Sequence, residues 1–489
     1  MVRSLEDLPV EIIELAVSLL SLSDVCSVRL VSRQLAVKAS EGCFLTSCAS
    51  KHVDISNTCL QTFVHMTQPG GIGCVLRDLT VVGVAIITHD LQFLLRKKKC
   101  PVIKYPGEHL DCTREELDAR RELRALKQRE VEHGIFAASG LDTALLEEGF
   151  RNLAANSKTR GLRSLSLEVV AYRDACGTRV QPIDANSWEL IWTAAVETLR
   201  VTFTALADSG LAVEKLILFN TQQQCSVEVK VLSDLLDARQ MTCLESVKSL
   251  AVSFSDPIIH DREQPKSIDE AEDDEVEDDA AETRRVPTEV LRAQVADQRG
   301  FTGLASLLKL MPMLEELELH SYRLPLPGLG FDSFNFLREQ RPKTLGRIVD
   351  SVPLKHLRCC KLRGIDATED ALLSLVKQAP LLNLSLEWVH LARGTFRSIF
   401  DHCTSEAAKL ERCYCDDLWE ARLLQFRGAG ASKGPKIPLA GGRGGGNTLL
   451  RDSANIKQPI VYHQMSGRAL GSPLARRWKL DNKREYGSP

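Results

Sequence analysis

No two cysteines stand at CxxC spacing, although the 489-residue chain holds fifteen of them. An odd, scattered set argues against a disulfide framework and against the common zinc fingers. No GxSxG, HExxH or GxxxxGK[ST] occurs, so the sequence offers no nucleophile elbow, zinc-protease helix or phosphate loop. A lone pair such as Cys59 and His65 is too weak to suggest a nucleophile. No apolar run approaches the roughly 18 residues of a membrane span. The first residues are charged and then amphipathic, unlike a secretory leader. The expectation is an intracellular chain with reduced thiols, cytoplasmic and/or nuclear.

What is present begins at residues 5–35, LEDLPVEIIELAVSLLSLSDVCSVRLVSRQL. Leu8-Pro9 opens a helix, with Pro at the first helical position, where its missing N–H costs nothing. Glu11 lies in the first turn, favoured by the macrodipole. Ile12, Ile13, Leu15, Ala16, Val17, Leu19 and Leu20 cover most of the circumference. Glu11, Glu14 and Ser18 leave one narrow polar stripe. A helix this apolar must be buried on several sides. Ser21-Leu22-Ser23-Asp24 breaks it, with Ser23 as the expected N-cap of a second helix. That helix carries Val25, Val28 and Val31. The pair exposes more apolar surface than so short a segment can bury by itself, which points to a partner protein.

These residues resemble an F-box. The pattern is Leu8-Pro9-x-Glu11, a branched apolar pair, Leu20 twelve residues after Leu8, Asp24-Val25, and Val31-Ser32-Arg33. Leu22 stands where the family often has Pro, and Leu35 where it often has Trp; neither changes polarity. The resemblance implies docking on a Skp-family adaptor and, through it, on a cullin-based ubiquitin ligase. The expected contacts are Leu8, Pro9, Ile12, Ile13, Val25, Val28 and Val31, with Ser32 and Arg33 at the rim.

The net charge of −3 conceals a strong division. Residues 269–282 hold ten acidic side chains in fourteen positions, expected to form a disordered loop. From 427 onward there are twelve Lys/Arg against three Asp/Glu, with GGRGGG at 441–446, expected to be a flexible basic tail. Nucleic acid is not the expected partner of either.

Between these lies a repeat. PLKHLRCCKLRGI and LLNLSLEWVHLARG alternate like strands, and each is followed by a helical segment. The offset read from sequence is 27 residues: Leu357 to Leu384, Cys359 to Leu386, Leu362 to Val389, Leu372 to Ile399. Asp366 and Glu369 read as a capping box. Further strands are expected at 162–170, 213–220, 247–254 and 410–417, and a helix at 187–208 with Trp188, Ile191, Trp192, Ala195, Leu199 and Leu206 on one face. Helix, Pro and strand recur at 304–321. This resembles an irregular leucine-rich-repeat array with insertions. A zinc site at His402, Cys403, Cys413 and Cys415 is a remote alternative, and no cofactor or metal is expected.

The expected architecture is therefore α/β. An F-box occupies 1–44, a helical linking region 45–159, and a leucine-rich-repeat-like solenoid 160–420 with a disordered insertion at 260–287. A flexible basic tail occupies 421–489. The expected function is a non-enzymatic substrate-recognition adaptor of a Skp–cullin–F-box ubiquitin ligase, binding an unidentified target protein. The alternative is a scaffold acting outside ubiquitination.

Overall fold

The computed structural model describes residues 4–40, 42–98, 114–156, 161–174, 178–185, 187–256, 287–324, 331–432, 446–465 and 473–487. The acidic run 269–282 and residues 441–445 of GGRGGG lie outside the described residues. The chain is a mixed α/β protein built on mostly parallel strands, and it divides into two units. Unit 1 is Met1–Ile217 with Met241–Val247, and unit 2 is Leu218–Gln240 with Lys248–Pro489.

Unit 1 opens with four short helices, α1 (Val10–Ser18), α2 (Leu22–Val31), α3 (Arg33–Lys38) and α4 (Cys43–Cys48). There follow β1 (Ser50–Asp54), α5 (Asn57–Thr67), β2 (Asp78–Ile86), α6 (His89–Lys98), α7 (Arg114–Ala138), α8 (Leu141–Asn156), β3 (Gly161–Tyr172), β4 (Arg179–Val180), α9 (Trp188–Ser209) and β5 (Ala212–Leu218). Its sheet runs β1-β2-β3-β5, with β4 paired to β3. The strands β1 and β2 correct the expectation of a purely helical link over 45–159. Leu79, Val81, Gly83 and Ala85 of β2 are buried on one face, and the half-buried other face carries Val82, Val84 and Ile86 beside Asp78 and Thr80, so apolar residues on both faces mask its period of two. Gly83 in its middle meets α9 so closely that a Cβ there would lie 1.9 Å from Thr198 Oγ1. Helix α9 buries Ile191, Trp192, Ala195, Leu199 and Leu206, as its spacing predicts. It is long and apolar enough to cross a membrane, but just over half of its apolar window is already inside the protein.

Unit 2 comprises β6 (Val227–Glu228), α10 (Val229–Asp237), β7 (Ser249–Ser255), α11 (Thr288–Ala296), α12 (Arg299–Lys309), β8 (Glu316–Tyr322), α13 (Phe331–Gln340) and α14 (Lys343–Ser351). It continues through β9 (Cys359–Arg363), β10 (Asp366–Thr368), α15 (Glu369–Gln378), β11 (Asn383–Glu387), β12 (His390–Arg393), α16 (Arg397–Thr404), β13 (Arg412–Asp416), β14 (Leu424–Arg427), β15 (Thr448–Arg451), β16 (Val461–Gln464) and α17 (Pro473–Tyr486). The sheet order is β7-β8-β9-β11-β13-β15, parallel until the antiparallel β15.

Register explains the core. Leu250, Leu317, Cys360, Leu384 and Cys413 lie side by side across five strands. Val252, Leu319, Leu362, Leu386 and Cys415 form a second row two residues on. All ten are buried, each leucine contributing roughly 1.5–3 kcal/mol. The alternate residues form the opposite face: Glu318, Lys361, Ser385 and Tyr414 in one row, His320, Arg363, Glu387 and Asp416 in the next.

The 27-residue offset needs correction for the strands. Cys359 pairs with Asn383, 24 residues on, and Leu362 pairs with Leu386 rather than matching Val389. An odd offset would set half-exposed Cys359 against buried Leu386, turning one strand over. The offset of 27 holds for the helices, where Leu372 and Ile399 are both buried. Three residues, Gly394, Thr395 and Phe396, separate β12 from α16, whereas α15 follows β10 directly. Thr395 N–H donates to Glu369 Oε2 at 2.8 Å, so the extra residues are tied to the preceding repeat. The cap of α15 is Thr368, whose Oγ1 accepts from Ala371 N–H at 3.2 Å, not Asp366.

The stretch 421–489 also departs from the flexible tail expected of it. Strand β15 pairs with β13, β14 pairs with β16, and α17 closes the described chain. Few apolar residues are needed when an existing edge supplies the hydrogen-bonding partner. Arg451 of β15 is fully buried and donates to the carbonyls of Asn455 and Pro459.

Candidate functional site

The N-terminal helices keep a small core of their own. Ile13, Val17, Val25, Leu35, Ala39 and Phe44 are buried together, with Leu8, Val28, Cys48 and Ile72 packed against them. Lys38 Nζ donates to the carbonyls of Glu6 and Leu8 at 2.7 and 2.8 Å, fixing the turn before Pro9. The guanidinium of Arg29 lies 3.9 Å from the Phe44 ring centre. Helix α1 begins at Val10 with Pro9 as its cap residue. The cap of α2 is Ser21 rather than Ser23: Ser21 Oγ accepts from Asp24 N–H at 3.2 Å.

This core sorts the nine expected contact residues. Ile13 and Val25 are 3% and 4% exposed, so they hold the helices together and present nothing to a partner. Leu8 and Val28 are half-buried against the same core. Ser32 caps α3, its Oγ accepting from Leu35 N–H at 3.2 Å. Pro9, Ile12, Val31 and Arg33 are exposed. Sequence reasoning passed over the largest exposed apolar groups: Leu15, Leu19, Leu30 and Val37 are 64%, 82%, 88% and 66% exposed. The signal was available, because Ile12, Leu15 and Leu19 fall at i, i+3 and i+7, one helical face. Leu35, at the position where the family often has Trp, is buried in the core.

A second surface is the opposite face of the unit 2 sheet. Lys361 reaches Glu318 at 3.2 Å and Glu387 at 3.4 Å, and Arg363 reaches the same two carboxylates at 3.4 and 3.6 Å. Beyond the strand ends the backbone turns left-handed at matching positions: Gly364, Trp388 and Asp417 follow β9, β11 and β13 with φ of 71°, 54° and 51°. Each donates its N–H to the neighbouring strand, Gly364 to Glu387 and Trp388 to Asp416 at 2.9 Å, and Asp417 to Asn447 at 3.2 Å. This places Trp388, His390 and Trp419 in one aromatic group, with His390 stacked on Trp419.

His320 lies fully buried beside this group. Its Nε2 faces the Glu485 carbonyl at 2.9 Å and its Nδ1 faces Ser253 Oγ at 3.1 Å. A carbonyl can only accept, so Nε2 carries the proton and Nδ1 accepts from Ser253. Burial, then the charges of Arg363 and Lys361, hold the imidazole well below its ordinary value, hence neutral.

Cys403, Cys413 and Cys415 lie in the core, the last two with sulfurs 3.8 Å apart. Burial raises the Cys403 thiol, and for Cys415 the bond to Cys413 leads the same upward shift. Among the described residues no three His, Cys, Asp or Glu side chains gather where a metal could sit. Comparison with models of known protein families gives no match, and comparison with curated proteins gives none.

Proposed function

We propose that this chain is a non-catalytic substrate-recognition adaptor of a Skp–cullin–F-box ubiquitin ligase, acting in the cytoplasm and/or nucleus. The observation that carries the reading is the exposed apolar stripe on α1, together with exposed Leu30 and Val31 of α2, on helices bearing the F-box pattern. Large apolar side chains exposed along one helix face mark a protein contact. The docking set then becomes Pro9, Ile12, Leu15, Leu19, Leu30, Val31 and Arg33, with Ile13 and Val25 supporting it from beneath. Unit 2 supports the other half of the reading. Its register-matched strands and left-handed turns resemble an irregular leucine-rich-repeat array, whose strand face receives a target protein. Ubiquitin transfer itself belongs to other subunits, and this chain supplies proximity and orientation.

Co-purification with a Skp-family adaptor tests the reading. Replacing Ile12 and Val31 together by Glu should lower adaptor capture at least a hundredfold and leave the circular dichroism unchanged, since both side chains are exposed. Undiminished capture by that variant would refute the interface. Recovery of adaptor without cullin would favour a scaffold outside ubiquitination.

A further inference from the structure

Helix α17 lies across the strand ends of unit 2 and touches them by one narrow face. Trp478, Asn482, Glu485 and Tyr486 point inward, at i, i+4, i+7 and i+8, while Arg476, Arg477, Lys479, Leu480, Lys483 and Arg484 are exposed. The inward residues meet the aromatic group and the charged face at once. Trp478 packs on Trp388 and Trp419, and its Nε1 donates to Asp417 Oδ2 at 2.8 Å. The Tyr486 ring stacks on Trp388, 3° from parallel, and meets His320 edge-on. Glu485 pairs with Arg363, and its carbonyl receives His320 Nε2. Arg323 N–H donates to the Tyr486 carbonyl at 2.9 Å.

These are the contacts of a helical peptide in a recognition groove: two aromatic anchors eight residues apart and an acidic group matched to an arginine. The fit is also incomplete. Within the joint His390 Nε2, Trp419 Nε1 and Asn482 Nδ2 are buried without hydrogen-bond partners. Each such group costs free energy, so a ligand that supplies hydrogen-bond partners there, acceptors for Trp419 and Asn482 among them, would bind more tightly than α17 does. A tethered helix holds its site at an effective concentration on the order of millimolar, which sets the threshold that a competitor must exceed.

We propose that this strand-end cradle is where the recognised protein docks, and that α17 is a resident occupant which it displaces. The partner would present a helix with an aromatic residue, an acidic residue seven positions on, and a second aromatic at the eighth. The inference rests on reading unit 2 as the recognition domain.

The test uses the full chain and a fluorescein-labelled peptide of residues 473–487 as probe. Wild-type protein, its cradle filled, should bind the peptide at least tenfold more weakly than the Trp478→Ala/Tyr486→Ala variant. Adding Arg363→Glu or Trp388→Ala to that variant should abolish binding, and a peptide carrying Trp478→Ala should not bind. Equal binding by wild type and the double variant overturns the proposal, as does binding that survives Arg363→Glu. Should the double variant fail to fold by circular dichroism, Glu485→Arg, which opposes Arg363 and keeps both rings, is judged by the same criterion. The two readings fail separately. Peptide binding without adaptor capture by wild type removes the ligase reading alone. Adaptor capture without peptide binding removes this one alone.

Discussion

Asp366 shows how a single residue changes role between sequence and structure. Its spacing to Glu369 reads as a helix cap, yet its carboxylate accepts from Arg323 at 2.8 Å and lies 3.8 Å from Arg341, all three side chains under 10% exposed. Arg341 in turn is bonded to Asp256 at 2.6 Å. Removing one partner of a buried pair strands the other charge, so Asp366→Ala should cost about 3–5 kcal/mol, measured by urea denaturation. His320 and His390 make a second residue-scale statement. Burial first, then nearby Lys and Arg, hold both well below the ordinary imidazole value. Unfolded imidazoles titrate near 6.5. Above that value neither state binds the proton and the stability is complete. As pH falls below it only the unfolded chain binds protons, so stability drops by about 1.4 kcal/mol per pH unit for each histidine. Urea midpoints should therefore fall between pH 7.5 and 5.5, and His320→Asn should narrow the gap. A gap unchanged in that variant would remove His320 from the account.

At the scale of elements, the strand–turn–strand unit repeats more faithfully than the sequence does. Gly364 occupies the left-handed position that Trp388 and Asp417 tolerate at a cost of about 1–2 kcal/mol each. It has a second constraint: a Cβ there would lie 2.4 Å from the Ser321 carbonyl and 3.0 Å from the Tyr486 ring. Gly364→Ala should destabilise unit 2 by about 1–3 kcal/mol and, added to the Trp478→Ala/Tyr486→Ala variant, weaken binding of the peptide, whose Tyr486 ring meets the new methyl. Thermal unfolding and the peptide assay read these two effects independently. Leu386→Ala removes a fully buried member of the second core row and should cost about 2–5 kcal/mol. Its effect on adaptor capture should be nil, because the core of the N-terminal helices lies wholly within unit 1.

At the scale of the whole molecule, two surfaces with different chemistry divide the proposed work. The N-terminal helices offer bare aliphatic side chains, and the strand ends of unit 2 offer aromatic rings bordered by arginine and carboxylates. On the proposed adaptor reading, Ile12→Glu/Val31→Glu lowers capture of the adaptor at least a hundredfold and leaves peptide binding by the α17 variant unchanged. A pull-down with each variant, probed for both ligands, reads the two ends at once. Linked losses would show that the surfaces do not act independently.

Local pattern was sufficient for the α/β class, for the helix Trp188–Ser209 and for the strands of unit 2 whose alternation has one polar face. The F-box resemblance likewise rests on a run of nearby sequence positions. Local pattern could not find β2, apolar on both faces, nor the strands after residue 421, which depend on pairing with residues far away. It could not decide the strand register either, since hydrogen bonding between strands fixes that and the helices keep a different spacing. Above all, it could not separate Ile13 and Val25 from Ile12 and Val31. All four are branched and apolar, and only packing against Leu35 and Phe44 decides which pair is spent holding the helices together and which is left facing water.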